Sequence, residues 1–390
     1  MRVAYVCADP GIPVFGTKGA SVHVQEVLRV LLSRGASVDL FCRRTGGVPQ
    51  GILANADVHM LPMPRHKEPA AREVECMRAD GWTAEALRSA GAYDLVYERY
   101  SLWSSAGMAY ARHVGVPAVL EVNAPLIDEQ ARHRTLVHRA EAEAVFTGAV
   151  RDATVAVCVS DAVAAWARTY AGDTTPVVVQ PNGVDVDRIA PATRRGRSTP
   201  FTVGFVGSLR PWHGIDVLVD AFARLHRAHP DTRLLVVGDG PLRESLAGQV
   251  GSLGIGSAVE QTGAVQPADV PQLLHRMDVA VAPYPESAGH YFSPLKVYEY
   301  LAAGLPVVAS DIGQVSTTLT HGVDGVLVPP GDAAALATQL ARLRADGERR
   351  ERLGRAARAT AEARHTWTRV VANSLDAAGF RLPATGQEAA

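Results

Sequence analysis

The chain has few cysteines, no excess of either charge and no long apolar run, and each lack removes a class of protein. Of its 390 residues only Cys7, Cys42, Cys76 and Cys158 are cysteines, widely spaced and without a C-x-x-C pair. Three of them stand in strand-like apolar stretches, the setting of small buried hydrophobes in a reducing compartment. Lys and Arg number 39 against 40 Asp and Glu, so no field exists to favour nucleic acid or a strongly anionic surface as partner. No uninterrupted apolar run is long enough to span a bilayer. The N-terminus runs straight through Val3-Ala4-Tyr5-Val6 to Asp9, too short for a signal sequence. A cytoplasmic protein is expected, with no support for membrane association. Neither a Ser-His-Asp set nor a carboxylate pair is present, and no closely spaced His/Asp/Cys cluster suggests a metal, so no metal and no cofactor are expected. Aromatic residues make up 6% and apolar residues 47% of the chain, with Ala and Val plentiful, which suits α/β layers. The length points to two domains.

The order of elements agrees. Arg2–Ala8 is β-rich, Val22–Arg34 has helical spacing with Ser21 as a possible cap and Gly35 as a stop, and Val38–Cys42 is the next strand. Between the first two lies a glycine loop, Pro10 to Gly19, containing Gly16 and Gly19 but not the G-x-G-x-x-G spacing of a dinucleotide turn. It can bring backbone N–H groups to an anion, and a flexible connection explains it about as well. Strands and helices then alternate through Val58–Pro62, Asp94–Tyr97, Pro117–Val122, a long charged helix over Asp128–Val150, Thr154–Val159 and Val177–Gln180. Such alternation predicts parallel pairing and right-handed crossovers. Ligands bind beyond the carboxyl ends of strands in these sheets, which puts Gly16, Glu98, Arg99, Asn123, Ser160 and Asn182 forward on topology alone. Asp187–Pro200 has the composition of a linker. The alternation restarts with Thr202–Val206 and ends in helices after Asp332. The last, near Thr366–Ala377, has no strand of its own and is expected to cross back onto the first domain. The expected division is 1–186 plus a crossing helix at about 366–383, and 200–365: two doubly wound Rossmann-like α/β domains facing each other across a cleft.

One stretch, Phe292 to Pro306, carries unusually complete helix signals. Ser293 is a candidate N-cap, Pro294 suits the first helical position, Gly304 is a left-handed stop and Pro306 bars continuation. Lys296 breaks the pattern, because a first-turn cation opposes the helix dipole. A positive helix end beside an ammonium makes an anion site, most naturally for phosphate.

With these pieces in order, the sequence resembles the retaining glycosyltransferases of family four, which have the GT-B fold. The matching residues are the Gly16–Gly19 loop, Pro181-Asn182-Gly183-Val184-Asp185, Phe205-Val206-Gly207-Ser208, Val237-Gly238-Asp239-Gly240-Pro241, Thr262-Gly263-Ala264-Val265, Leu295–Pro306 with Val307–Ser310, and His365-Thr366-Trp367. The resemblance implies metal-independent transfer of a sugar from a nucleoside-diphosphate donor, commonly linked to uridine diphosphate, to an acceptor hydroxyl with retention at the anomeric carbon. It implies that Glu299, the second acid of the family's E-x7-E motif, accepts the ribose hydroxyls. A solvated carboxylate paired with Lys296 is the plain alternative. It also implies that Gly263, Ala264 and Val265 offer backbone to the base.

Two positions depart from the family. Tyr291 stands where the first acid belongs, with Glu286 nearby but out of register. The loop after Phe205-Val206 offers Ser208, Arg210 and His213 where a phosphate-clamping Arg and Lys are usual. Lys296, with the helix start at Ser293, Pro294 and Leu295 and the Gly16–Gly19 amides, is then expected to hold the diphosphate. Asn123 occupies a strand end where many relatives place a His, and suits hydrogen bonding to a sugar or a small polar acceptor; a turn-forming Asn before Ala-Pro is the alternative. Glu98-Arg99 suits acceptor binding or an ordinary ion pair. His213 and His290 outrank His113, His133 and His138, which are expected on polar helices in solvent. A GT-B-fold nucleotide-sugar epimerase or hydrolase, and a non-catalytic nucleotide-sugar-binding protein, are the other readings. An NAD-dependent oxidoreductase would rest on Gly238-x-Gly240 alone, without a third glycine.

Overall fold

A computed structural model describes residues 1–172, 175–192, 200–286 and 291–382. The chain divides into two compact units, Met1–Pro181 with the chain from Trp367 onward, and Asn182–Thr366.

The first unit is built on seven parallel strands: β1 Arg2–Cys7, β2 Ser37–Cys42, β3 Asp57–Met60, β4 Leu95–Arg99, β5 Ala118–Val122, β6 Val155–Cys158 and β7 Val177–Val179, in the order β3-β2-β1-β4-β5-β6-β7. Six parallel strands form the second: β8 Phe201–Val206, β9 Thr232–Val237, β10 Val259–Gln261, β11 Val279–Ala282, β12 Val307–Ser310 and β13 Val326–Val328, in the order β10-β9-β8-β11-β12-β13. Central strands such as β8 are buried along their whole length, because helices cover both faces of a parallel sheet. The order of strand addition reverses at β1, flanked by β2 and β4, and at β8, flanked by β9 and β11. Each reversal opens a crevice at the strands' carboxyl ends. In the second unit the crevice lies among the residues that follow β8 and β11.

Several local expectations are corrected. The first helix spans Gly19–Ser33, so Ser21 lies inside it rather than capping it, and its buried hydroxyl has no hydrogen-bond partner among the described residues. The long charged helix is two, Leu126–His133 and Arg139–Asp152. Arg134 is extended between them. The buried Glu73 carboxylate accepts the N–H groups of Val137 and His138, which holds the intervening chain out of a helix. His138 is consequently not a solvated helix residue; its Nδ1–H donates to Glu73 over 2.9 Å. The boundary between the units falls at Pro181 rather than 186. The Asn182 N–H donates to Ser293 Oγ and the Val184 N–H to the His365 carbonyl, both within the second unit. Of the expected linker, residues 193–199 lie outside the described residues, as does His290, while Ile189 sits in the second unit's core. The helix Trp367–Ala377 packs in the first unit, where the Trp367 ring meets His23 edge-on at 4.8 Å. No helix among the described residues is long and apolar enough to cross a membrane.

Candidate functional site

The anomalous helix of the second unit spans Leu295–Ala302. Its stop is as expected: Gly304 is left-handed (φ +60°), and the Leu305 N–H turns back to the Tyr300 carbonyl. Its start is not. Pro294, rather than Ser293, is the N-cap residue, and no side chain among the described residues caps the helix. The Ser293 hydroxyl is held instead by the Asn182 N–H at 2.9 Å and by the Tyr298 hydroxyl at 3.0 Å. Asn182 Nδ2 donates to the Ser293 carbonyl as well, over 2.7 Å. A hydroxyl committed in this way cannot turn toward the first helical amides, which are left without a side-chain cap.

Lys296 and Tyr300, four residues apart, share one face of this helix. Tyr300 is fully buried, and its hydroxyl accepts the Val206 N–H at 2.7 Å, fastening the end of β8 to the helix. The same face carries Lys296 onto the Phe205 ring, with Nζ 4.1 Å from the ring centroid and 5.5 Å from that of Tyr284. Lys296 is 8% exposed and its Nζ has no hydrogen-bond partner among the described residues. Burial pulls its pKa down to about 7, opposed by the charge of Glu299. Aromatic faces recover part of the lost hydration of an ammonium, roughly 2 kcal/mol when desolvated, but they satisfy none of its three N–H donors. The backbone at Gly207 supplies the remaining wall. A Cβ there would stand 2.8 Å from Nζ, and φ is +147°, so only glycine leaves room for the lysine. The site is therefore a buried cation held at a strand end with its donors unspent. Its complement is an anion.

Around it the structure gathers some of the expected residues and separates others. His213 joins the cluster: its Nδ1–H donates to the Ser208 carbonyl, and its ring lies edge-on to Tyr284 at 6.0 Å. Gly214 makes this turn possible, since a Cβ there would lie 1.7 Å from the Pro283 carbonyl oxygen. Ser208 is exposed, and so is Arg210, which turns away to lie over the exposed Trp212 at 5.6 Å. Trp212 stacks on Phe292 and Phe292 contacts Tyr291, a half-buried aromatic where an acid was expected by family analogy. Glu299 is half-buried on the same helix. Gly263 is left-handed (φ +71°), and its carbonyl is taken by the Gly238 N–H and the Thr262 hydroxyl. Ala264 is exposed, while Val265 packs on the core. The sequence did not single out Phe205, Tyr284 or Tyr300 for the site. Their only signal was position: Phe205 in the last residues of β8, Tyr284 just beyond β11, and Tyr300 a helical turn beyond Lys296.

In the first unit the glycine loop is more self-contained than expected. The Gly16 N–H donates to the Pro13 carbonyl and its own carbonyl accepts Gln25 Nε2, so Gly16 shapes the loop and has no amide to offer. Gly19 is exposed at the helix start. Asn123, just beyond β5, has both side-chain polar atoms buried without a hydrogen-bond partner among the described residues. Glu98 and Arg99, adjacent on β4, point to opposite faces and do not form a pair. Arg99 lies 3.7 Å from Glu121, which also meets His23. Burial opposes ionisation of Glu121, but His23, Arg99 and Tyr97 together hold its carboxyl below the usual range. Glu98 lies beside Asp80, and the Ser104 hydroxyl reaches both carboxylates. Burial, then the Asp80 charge, raise Glu98 to about 8. Ser160 caps the helix Asp161–Ala171. Among the described residues one group has the spacing of metal ligands, Asp39, Asp57 and His59. Arg2 and the Tyr93 hydroxyl already bind Asp39, so this trio is an ion-pair cluster.

Two doubly wound parallel domains with an anion-seeking strand end define the GT-B class of glycosyltransferase folds. Sucrose-phosphate synthase from Thermosynechococcus elongatus superposes with a TM-score of 0.71 at 20% identity, over 95% of this chain and 96% of that one. The Anabaena HepE structure in complex with UDP does so with a TM-score of 0.71 at 20% identity, over 95% and 97%. Residues 17–188 match the model described as Glycosyltransferase Family 4, and residues 200–346 the model described as Glycosyl transferases group 1. The D-inositol 3-phosphate glycosyltransferase of Salinispora tropica is 31% identical over 93% of this chain and 80% of its own. The chain belongs to glycosyltransferase family 4.

Proposed function

We propose that this glycosyltransferase moves a hexosyl group from a nucleoside-diphosphate sugar to an acceptor hydroxyl, with retention of anomeric configuration and without a metal. The observation that carries this reading is Lys296, a buried amine with no hydrogen-bond partner among the described residues, set at a helix start beside Gly207. A diphosphate would satisfy it, and the same charge would stabilise the diphosphate as it leaves. The UDP held by HepE supports uridine diphosphate as the donor's carrier. Glu299 then accepts the ribose hydroxyls, Gly263 to Val265 line the base, and Arg210 and the Trp212 face remain at the surface.

In the transfer, the bond between the anomeric carbon and the diphosphate oxygen breaks as the acceptor oxygen bonds that carbon on the same face. The hydroxyl proton passes to the departing phosphate oxygen, so no carboxylate is required where Tyr291 stands. A small polar acceptor is assigned to the first unit, where Asn123 has an unspent donor and acceptor. A reducing, cytoplasmic setting is part of the proposal, supported by four unpaired, buried cysteines. The test is a thermal-shift screen of nucleotide sugars in the presence of a chelator, followed by acceptor profiling with the stabilising donor. The product's anomeric configuration is then read by proton NMR. An inverted product, a strict requirement for added divalent metal, or donor turnover that never needs an acceptor would each overturn the corresponding part.

A further inference from the structure

A second cavity, of about 500 Å³, lies wholly within the first unit and shares no residue with the donor site. Its floor is the helix Pro69–Ala90, on which Ala70, Val74, Arg78 and Trp82 recur every fourth residue and so form one stripe. His66 and His138 rise on its walls. Carboxylates from the same helix fasten both walls. Glu75 accepts the N–H groups of Arg65 and His66 at 2.6 and 2.9 Å. Glu73 accepts the N–H of His138 at 2.8 Å and its Nδ1–H at 2.9 Å. The cavity is thus preformed, and its size is that of a small-molecule site.

Its chemistry is one-sided. The hydrogen bond from the His66 N–H, with that from Arg65, holds the Glu75 carboxyl below the usual range and uses its charge on the wall itself. Arg78 forms no hydrogen bond or ion pair with any described residue, although it reaches the cavity. Trp82, 50% exposed, sets a flat indole beside a floor of small apolar residues. An indole face takes the C–H face of a sugar ring, and a guanidinium takes two oxygens of a phosphate or carboxylate. We infer that this cavity binds an anionic saccharide, its ring stacked on Trp82 and its phosphate or carboxylate held by Arg78. This site does not depend on the donor reading, which concerns residues of the other unit.

The test is calorimetric titration of the full chain with glucose 6-phosphate, glucuronate, glucose and inorganic phosphate, with UDP in parallel. At least one anionic sugar is expected to bind ten times more tightly than glucose or inorganic phosphate alone; which one identifies the anion as phosphate or carboxylate. Arg78→Gln is expected to weaken that sugar at least tenfold and Trp82→Ala about fivefold, with Arg78→Lys recovering part of the loss. UDP affinity should stay at the wild-type value in all three variants, whose changed side chains are exposed. Anionic sugars that bind no better than inorganic phosphate, or binding that survives both Arg78→Gln and Trp82→Ala, would overturn the assignment.

Discussion

If Lys296 is the diphosphate's cation, its suppressed charge must return when the nucleotide arrives, and that return can be measured. In the free protein burial lowers it from 10.5 to about 7. At roughly 1.36 kcal/mol per unit, the folded protein disfavours the ammonium by on the order of 5 kcal/mol relative to water. Two negative phosphates beside Nζ reverse the preference, so the bound state keeps the proton. About half of the free sites are charged at pH 7 and about one in a hundred at pH 9. UDP affinity should therefore fall about fiftyfold across that interval, about 2 kcal/mol. The ligand's own charge is constant there, because a phosphate's second ionisation lies near pH 6. Calorimetry in buffers of different ionisation enthalpy should show proton uptake on binding at pH 8. Lys296→Met should abolish the uptake, flatten the pH profile and weaken UDP. It should also stabilise the free protein at pH 7 by about 2 kcal/mol, since a buried unpaired charge is replaced by an apolar chain of similar length. The sign with pH follows from the depressed value. Between about 7 and 10.5 the unfolded chain holds more protons, so the wild type gains stability on the Met variant as pH rises. UDP affinity that is level from pH 7 to 9, or unchanged in Lys296→Met, would refute the reasoning.

Glu299→Gln should weaken UDP by tenfold or more, the loss of charge-assisted hydrogen bonds worth roughly 1.5–3 kcal/mol, and leave the melting temperature nearly unchanged; a purely structural residue would show the opposite pattern in the same two assays. Tyr300→Phe should cost about 2 kcal/mol in denaturant titration, because the buried Val206 N–H loses its acceptor. Gly214→Ala should cost more, about 3 kcal/mol or above, since its Cβ would overlap the Pro283 carbonyl in a left-handed turn. Glu98, raised to about 8 by burial and by Asp80, binds protons in the folded state that the unfolded chain has released above 4.5. Wild-type stability should therefore fall from pH 5 to pH 8, and Glu98→Gln should raise the melting temperature by a few degrees more at pH 8 than at pH 5.

Much of this molecule was legible from local pattern. Apolar runs separated by helical periods required parallel strands, and the runs of small residues at Gly207, Gly238 and Gly263 marked where strands end. Lys296 stood out because a first-turn cation contradicts the dipole, a conflict contained within one helix. The capping reading at the same helix failed for a reason no local rule holds. Ser293 has the right side chain in the right place, but Asn182 and Tyr298 compete for it, and Asn182 is 111 positions away. Gly16 failed similarly, its amide claimed by Pro13 within a loop whose shape the composition does not specify. Glu98 and Arg99 were read as one unit because they are neighbours in sequence, whereas strand geometry sends neighbours to opposite faces.

The sequence by itself determined the class of fold, the two-domain division and the residues that end the strands, because those depend on periodicity and on backbone freedom. Tertiary structure alone decided what Lys296 is. A lysine in a first helical turn is ordinarily solvated, and only the convergence of Phe205, Tyr284 and the bare backbone of Gly207 removes its water. Desolvation is a property of everything that surrounds a group in space, and those surroundings come from two segments of the chain outside the helix that carries the lysine.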